Sequence, residues 1–296
     1  MRQALIFSSL IFSLILPGLA EAPSGIEYRV TEVSGEAGFL PRNGTEVSPA
    51  VQGLTLEAGD RLVTGKEGHV QFATKEGTVM ELKENSNLQV ESFSSEVSRF
   101  FLRMGKLLGK FAPTSQTKHS YNIHTPVAVA AVRGTELAMC VEEDGRTEAG
   151  VIEGQVAFGP SEEAISQPTE TEPAIEKPDW KEGEILVGES KGIVVKSKEK
   201  PEQLSQLPPI AVQEITWFPH IRERIPSLKE QWKDLTPPAR MQLRQQALRE
   251  RIKWKVPENL RRQLPSPREQ IKDHFSPPAK LQPNRRRPRR PLDNRP

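Results

Sequence analysis

The chain has 296 residues, which is enough for one or two ordinary domains. Only 35% of the residues are hydrophobic and 26 are prolines, so part of the chain cannot belong to a well-packed core. The single cysteine, Cys140, excludes an internal disulfide. Its apolar neighbours predict a small buried side chain in a strand rather than a reactive thiol.

The net charge of +2 is the sum of two segments of opposite sign. Residues 23–202 carry 19 Lys and Arg against 29 Asp and Glu, whereas residues 203–296 carry 21 against 9. This distribution indicates an acidic globular body followed by a basic tail. Because exposed ion pairs are weak and screened by salt, we expect the tail to associate with the body only loosely and the body to fold without it.

Residues 1–22 have the pattern of a secretory signal peptide. Arg2 provides the positive start, Ala4–Leu16 the apolar stretch, and Ala20-Glu21-Ala22 the small-residue cleavage region. A short membrane anchor is the less favoured alternative, because the stretch is below the ~17–25 residues that cross a bilayer. Cleavage after Ala22, with Ala20 as a second possible site, predicts a mature protein in the periplasm or outside the cell.

Residues 26–158 predict an all-β body. Apolar and polar residues alternate in Tyr28–Val33, Val70–Ala73 and Leu88–Phe93. Turn signals follow the second of these strands at Lys75–Thr78 and lie at Asp144-Gly145, between the predicted strands Leu137–Val141 and Thr147–Val151. The expected fold class is therefore an all-β body, either a multi-stranded sandwich or a solenoid-like arrangement, followed by an α-helical, partly disordered basic tail.

The second half of this body predicts further strands. Phe100–Met104 and Leu107–Phe111 are expected to be joined by a turn at Gly105-Lys106. Val127–Val132 is apolar throughout, which predicts a strand buried on both faces, and Val129→Asp should then prevent folding. Residues 159–180 predict an acidic loop rich in Pro and Glu, and residues 181–200 predict strands that rejoin the body.

Residues 201–282 predict a helical region punctuated by proline, with Trp217–Pro226 as a connector. Leu228, Trp232 and Leu235 have the spacing of one helical face. Thr236 is the expected N-cap of a helix that begins at Pro237. The apolar stripe of this helix should consist of Met241, Leu248 and Ile252. Its basic stripe should consist of Arg240, Arg244, Arg251 and Lys255.

The tail also contains an internal repeat. Leu235–Gln242 recurs at Phe275–Gln282, with a partial copy at Leu264–Glu269, and each copy places a hydroxyl residue before the proline that opens a helix. Residues 283–296, which contain the Arg-rich run Arg285–Arg290, are expected to be disordered.

The sequence contains no recognisable catalytic constellation. A Gly-x-Ser-x-Gly elbow, a phosphate-binding loop and a dinucleotide fingerprint are all missing. The histidines lack the spacing of metal ligands: His69, His119, His124, His220 and His274. We therefore expect no catalytic, cofactor-binding or metal-binding residue, and a protein that is not an enzyme.

Several ordered motifs resemble the FecR family domain. Gly53–Gly65 resembles its opening, and the resemblance continues through Val70–Leu82 and Leu102–Leu107. It is strongest at Ile123–Leu137 and closes at Val151–Val156. The resemblance covers roughly residues 28–158, with 198 as an outer limit. The following motif residues are expected to maintain turns and strands rather than to contact a ligand: Gly59, Asp60, Gly65, Pro126 and Gly134.

The resemblance implies a non-enzymatic periplasmic β domain. The family's best-known members pass an iron-uptake signal from an outer-membrane transporter to a sigma factor, but this sequence has no anti-sigma segment before the signal peptide. We therefore expect an exported FecR-domain protein that binds or scaffolds in the cell envelope, with an envelope protein or an anionic envelope polymer as partner. The alternative is an envelope-sensing regulator that acts on a membrane partner or a sigma-factor pathway. Export argues against nucleic acid as the partner of the arginine tail.

Overall fold

The computed structural model describes residues 26–112, 119–161, 183–231 and 236–264. The strands in chain order are β1 (Tyr28–Ser34), β2 (Ala37–Leu40), β3 (Ser48–Pro49), β4 (Thr55–Leu56), β5 (Arg61–Thr64), β6 (His69–Thr74), β7 (Val79–Leu82), β8 (Ser86–Phe93), β9 (Val97–Lys110), β10 (Ser120–His124), β11 (Ala128–Val132), β12 (Glu136–Val141), β13 (Thr147–Glu153), β14 (Gln155–Pro160), β15 (Ile185–Gly188), β16 (Lys191–Val195) and β17 (Glu202–Leu204). The helices are α1 (Pro209–Gln213), α2 (Trp217–Gln231), α3 (Pro237–Arg249) and α4 (Glu258–Arg262).

The strands form a β-sandwich, which confirms the expected all-β body. The first layer has the order β4-β1-β6-β7-β9-β12-β13-β16-β17. The second layer has the order β3-β2-β5-β8-β9-β10-β11-β14-β15. Neighbouring strands are antiparallel except for the parallel pair β9 and β10. The inner faces pack together: the rings of Tyr28 in β1 and Phe100 in β9 are 5.2 Å apart, edge to face.

The long strand β9 belongs to both layers. Its first half lies between β8 and β10 in the second layer, and its second half between β7 and β12 in the first. The predicted turn at Gly105-Lys106 is therefore wrong, because the chain bends there without reversing. Gly105 has φ +96°, and a Cβ at this position would meet the Cα of Ser86 at 2.4 Å. A glycine is required for this bend.

Strand β11 differs from the expectation that it is buried on both faces. Ala128, Ala130 and Val132 are buried in the core, whereas Val129 and Ala131 point to the outer face of the second layer and are only half-buried. The strand pairs on both sides, with β10 and β14, but only one of its faces is covered. An apolar run of small residues does not distinguish these two situations.

Because Ala130 and not Val129 faces the core, the aspartate substitution that should prevent folding is the one at Ala130. An aspartate at Ala130, which is 0% exposed, would bury an unpaired charge at a cost of about 3 kcal/mol or more, out of a typical total of ~5–15 kcal/mol. Ala130→Asp should therefore abolish the cooperative thermal transition, and Val129→Asp should keep it at a moderately lower temperature. Equal loss in both variants would contradict the one-sided burial of β11.

The C-terminal helices form a strap, which we define as residues 205–231 and 236–264. Helices α1 and α2 cover the outer face of the first layer. There Phe218 packs on Leu108 and Ala138, and Ile221 and Leu228 pack in the cluster that contains Val79. The contact is close, because a Cβ on Gly150 of β13 would meet the Cβ of Ala211 at 2.5 Å. The segment that contains α4 covers part of the second layer, where its Val256 and Leu260 pack with Val63 and Met104.

These contacts correct two expectations. Trp217–Pro226 is not a connector but lies within α2, and Pro226 is inside the helix. An internal proline destabilises a helix by about 3 kcal/mol. The free energy gained by burying the apolar side of α2 is larger than this cost. The strap is also not loosely associated, because its apolar side chains are buried against the sandwich and do not rely on exposed ion pairs.

Helix α3 begins at Pro237 as predicted, although Thr236 makes no side-chain capping hydrogen bond. The helix ends at Arg249, so Ile252 and Lys255 lie beyond it. The basic side of the helix is the docked one: Arg240, Arg244 and Ala247 face the sandwich, while Met241 is 61% and Leu248 41% exposed.

Other expectations lie outside the described residues. These are the signal peptide, most of the acidic loop, Trp232 and Leu235, the second copy of the repeat, nearly all of the partial copy and the Arg-rich end of the chain. Beyond the loop, β15 pairs with β14, and β16 pairs with β13.

Candidate functional site

The most extensive set of charged contacts lies between the sandwich and the strap. Its centre is Asp60, which follows the Gly59 turn and is 0% exposed. The Asp60 carboxylate accepts two hydrogen bonds from the Arg244 guanidinium, at 2.7 and 2.8 Å, and one from the backbone N–H of Glu57 at 2.9 Å. This bidentate pair fixes α3 against the end of the sandwich.

Arg244 has further partners on the sandwich. It donates to the backbone carbonyl of Thr55 at 3.1 Å, and its guanidinium lies 5.3 Å from the ring centre of Phe39. Burial opposes the charge, but the hydrogen bonds and the charge of Asp60 outweigh it, so the pKa of Arg244 is raised above its ordinary value.

A second buried carboxylate, Glu136 at the start of β12, holds α2. It is 1% exposed and accepts hydrogen bonds from Arg222, whose Nε lies 2.7 Å from Oε1, and from Lys110 at 3.0 Å. Arg222 also reaches Glu153 at 3.0 Å. Burial raises the pKa of Glu136, but the hydrogen bonds and charges of Arg222 and Lys110 dominate, so this pKa is lowered.

Glu81 in β7 provides a third contact. The indole N–H of Trp217 donates to Glu81 at 2.5 Å, and Lys83 bridges Glu81 and Glu214 at 3.1 and 3.3 Å. In addition, Arg240 of α3 pairs with Glu27. Arg222, Arg240 and Arg244 of the strap therefore all pair with acidic residues of the body.

Asp60 and Glu136 both belong to the motifs that suggested a purely structural role. Asp60 does bond the backbone of its turn as predicted, and Gly59 has φ +94°, whereas Gly65 does not have a positive φ. The sequence reasoning missed that both carboxylates also bind arginines of the strap. The available signal was the opposite charge of the two segments.

Among the described residues, the histidines and the cysteine do not form a reactive site. His119 Nε2 lies 3.0 Å from Ser98 Oγ, and its Nδ1 lies 3.2 Å from the backbone oxygen of Ser95. Ser98 and His119 are at most 1% exposed, so a substrate has no access to this pair. Burial lowers the pKa of His119. Cys140 is half-buried in β12 rather than fully buried, and burial raises the pKa of its thiol, which disfavours the reactive thiolate.

A groove of about 710 Å³ lies beside the bend of β9. Its lining is mainly polar and acidic: Glu84, Asn85, Met104, Gly105, Lys106, Cys140, Val141, Glu142, Glu143, Asp144 and Asn259. Within the described part of the chain, no group of three or more His, Cys, Asp or Glu side chains could hold a metal ion. None of the helices in that part is long and apolar enough to cross a membrane.

Part of the sandwich matches a known protein family. Residues 60–157 match the model of the FecR protein family, so the match begins at Asp60 and ends in β14. Residues 60–157 form a FecR domain. The strap lies outside the match and contacts the domain at Asp60 and Glu136. No curated protein matches the chain.

Two crystal structures align with about half of this chain. Both are of a proposed anti-sigma factor from Parabacteroides distasonis ATCC 8503, determined at 1.65 and 2.50 Å. Each has a TM-score of 0.40 and 15% sequence identity, and the alignment covers 53% of this chain. The two alignments cover 64% and 63% of the length of the anti-sigma-factor chains, so this chain spans less than two thirds of either.

The Asp60–Arg244 pair makes a testable contribution to stability. Arg244→Ala leaves a buried carboxylate with only its backbone partner, and loss of one member of a buried pair costs about 3–5 kcal/mol. Arg251→Ala is the matched control, because Arg251 is 85% exposed and 3.6 Å from Glu46. Urea unfolding should show a large loss of unfolding free energy for Arg244→Ala and almost none for Arg251→Ala. Equal, small losses would show that the pair does not hold α3.

The lowered pKa of Glu136 predicts a pH dependence. An acid whose pKa is depressed by folding stabilises the folded state above its unfolded pKa, near 4.5, and the stabilisation is lost as the pH falls through the folded value. The wild-type chain should therefore exceed Glu136→Gln in unfolding free energy at pH 7, and the difference should shrink below pH 4.5. Unfolding titrations at a series of pH values would measure it; a difference that is constant with pH would contradict the ionic role of Glu136.

Proposed function

We propose that the protein is a non-enzymatic binding module of the cell envelope, in which the FecR domain contacts a partner protein. The observation that carries this proposal is the family match over residues 60–157. The chemistry of the described residues supports it, because the one serine–histidine pair is buried and the acidic motif residues are engaged by the strap.

Export is part of the proposal and rests on the predicted signal peptide of residues 1–22. The intact mass of the protein purified from the periplasm should correspond to a chain that begins at Pro23 or within a few residues of it. Retention of Met1 in a protein that fractionates with the cytoplasm would overturn the export.

The binding role can be tested by site-specific photo-crosslinking in cells. Leu186 lies on the FecR-domain body and is 56% exposed, whereas Phe158 in the neighbouring strand is 0% exposed. A photo-reactive residue at 186 should yield a discrete adduct with an envelope protein, and one at 158 should yield only adducts within the chain. If probes at Leu186 and at other exposed positions of the body give no adduct with another protein, the proposal fails.

A regulatory role is the second candidate, favoured by the same family match. A scaffold and a regulator differ in their effect on transcription. Deletion of the gene should leave sigma-factor-dependent transcripts unchanged if the protein is a scaffold, and should change a defined set of them if the protein is an envelope-sensing regulator. The photo-crosslinked partner, a structural protein or a membrane signalling protein, provides an independent distinction.

A further inference from the structure

Helix α3 docks with its charged side and leaves apolar side chains in water. Arg240, Arg244 and Ala247 face the sandwich, where the arginines pair with Glu27 and Asp60. Met241 and Leu248 are seven residues apart, two turns of helix, and therefore lie on the same side. They are 61% and 41% exposed. Two large apolar side chains thus form a row on the outside of the strap.

Cationic side chains follow this row along the chain. The exposed cations between residues 249 and 262 are Arg249, Arg251, Lys253, Lys255, Arg261 and Arg262, and the exposed acids are Glu250 and Glu258. Two of the cations have acidic neighbours, Arg251 with Glu46 at 3.6 Å and Arg262 with Glu258 at 3.7 Å. Exposed ion pairs at these distances contribute little free energy, so the cations can still bind an external anion.

Two exposed apolar side chains that are followed along the chain by exposed cations have a specific physical complement. At the surface of an anionic lipid bilayer, phosphate groups lie directly above acyl chains, so apolar side chains and cations can be accommodated together. An anionic polymer or a nucleic acid would attract the cations but would leave Met241 and Leu248 in water. Nucleic acid would also favour exposed aromatic residues for stacking, and Trp254, the aromatic residue in this stretch, packs against the cluster that contains Val63.

We propose that the outer face of the strap, formed by Met241, Leu248 and the cations of residues 249–262, binds an anionic membrane surface. The strap would then have two roles: its inner side completes the FecR-domain body, and its outer side places that body at the membrane. The proposal concerns lipid and is independent of the protein partner proposed above.

The test is sedimentation of the full chain with vesicles of phosphatidylcholine alone and of phosphatidylcholine mixed with phosphatidylglycerol. The wild-type chain should bind the mixed vesicles and not the neutral ones, and added salt should weaken the binding. Met241→Ser combined with Leu248→Ser should lower the partition coefficient at least about tenfold, because both apolar contacts are lost.

A matched control is available in the last turn of α1 and just after this helix. Val212 and Ile215 are 55% and 42% exposed, so Val212→Ser with Ile215→Ser removes a comparable apolar pair outside the proposed surface and should leave binding unchanged. Arg249→Gln with Lys253→Gln should weaken binding and reduce its dependence on salt. Because all of these side chains are exposed, each variant should keep the wild-type melting temperature.

Three results would overturn the proposal. The wild-type chain could fail to bind the mixed vesicles. The Met241 and Leu248 variant could bind as well as the wild type, which would assign the attraction to charge alone, including the Arg-rich residues 285–290. The α1 control could lose as much affinity as the α3 variant, which would show that the apolar contribution is not confined to this face. None of these results would bear on the FecR-domain partner detected by crosslinking.

Discussion

Strand β9 is the constraint on which the rest of the structure depends. Since its two halves pair in different layers, the layers cannot separate or slide without breaking its hydrogen bonds. Gly105 makes this possible by bending the strand where a side chain would collide with Ser86. The arrangement leaves an outward apolar residue on each side of the bend, Met104 on the second layer and Leu108 on the first, and the strap covers both.

The strap is therefore part of the folded unit and not an appendage. Its apolar contacts supply the favourable free energy of docking, and its arginines fix the register through carboxylates that the body already buries. The opposite charges of the two segments meet in this fit: without Arg244 and Arg222, the buried Asp60 would keep only its backbone partner and the buried Glu136 only Lys110. Because the strap is folded stably, Met241, Leu248 and the exposed cations keep fixed positions on its outer surface.

The β body was predictable because its signals are local. The two-residue alternation of β1 and β8, and the turns at Gly77 and Gly145, depend on neighbouring residues only. The docking of the strap was not predictable in this way, because it depends on pairs that are far apart in the chain, such as Asp60 with Arg244 at 184 residues and Glu136 with Arg222 at 86 residues. Charge patterning identified the two segments but not the match of Asp60 with Arg244. For α3, helical periodicity identified Met241 with Leu248 and Arg240 with Arg244 as neighbours but extended both stripes past the end of the helix at Arg249. Periodicity did not show which side docks, since the buried carboxylate of Asp60 decides this orientation.

Amide hydrogen exchange on the full chain can show whether the strap and the sandwich fold as one unit. Exchange of the amides of α2 should be compared with exchange of those of β9 under conditions where the rate reports the free energy of opening. If the two parts fold as one unit, the slowest amides of α2 should open with a free energy within about 1–2 kcal/mol of that of the slowest amides of β9. Exchange of α2 within seconds, while β9 stays protected at the global stability, would contradict folding as one unit.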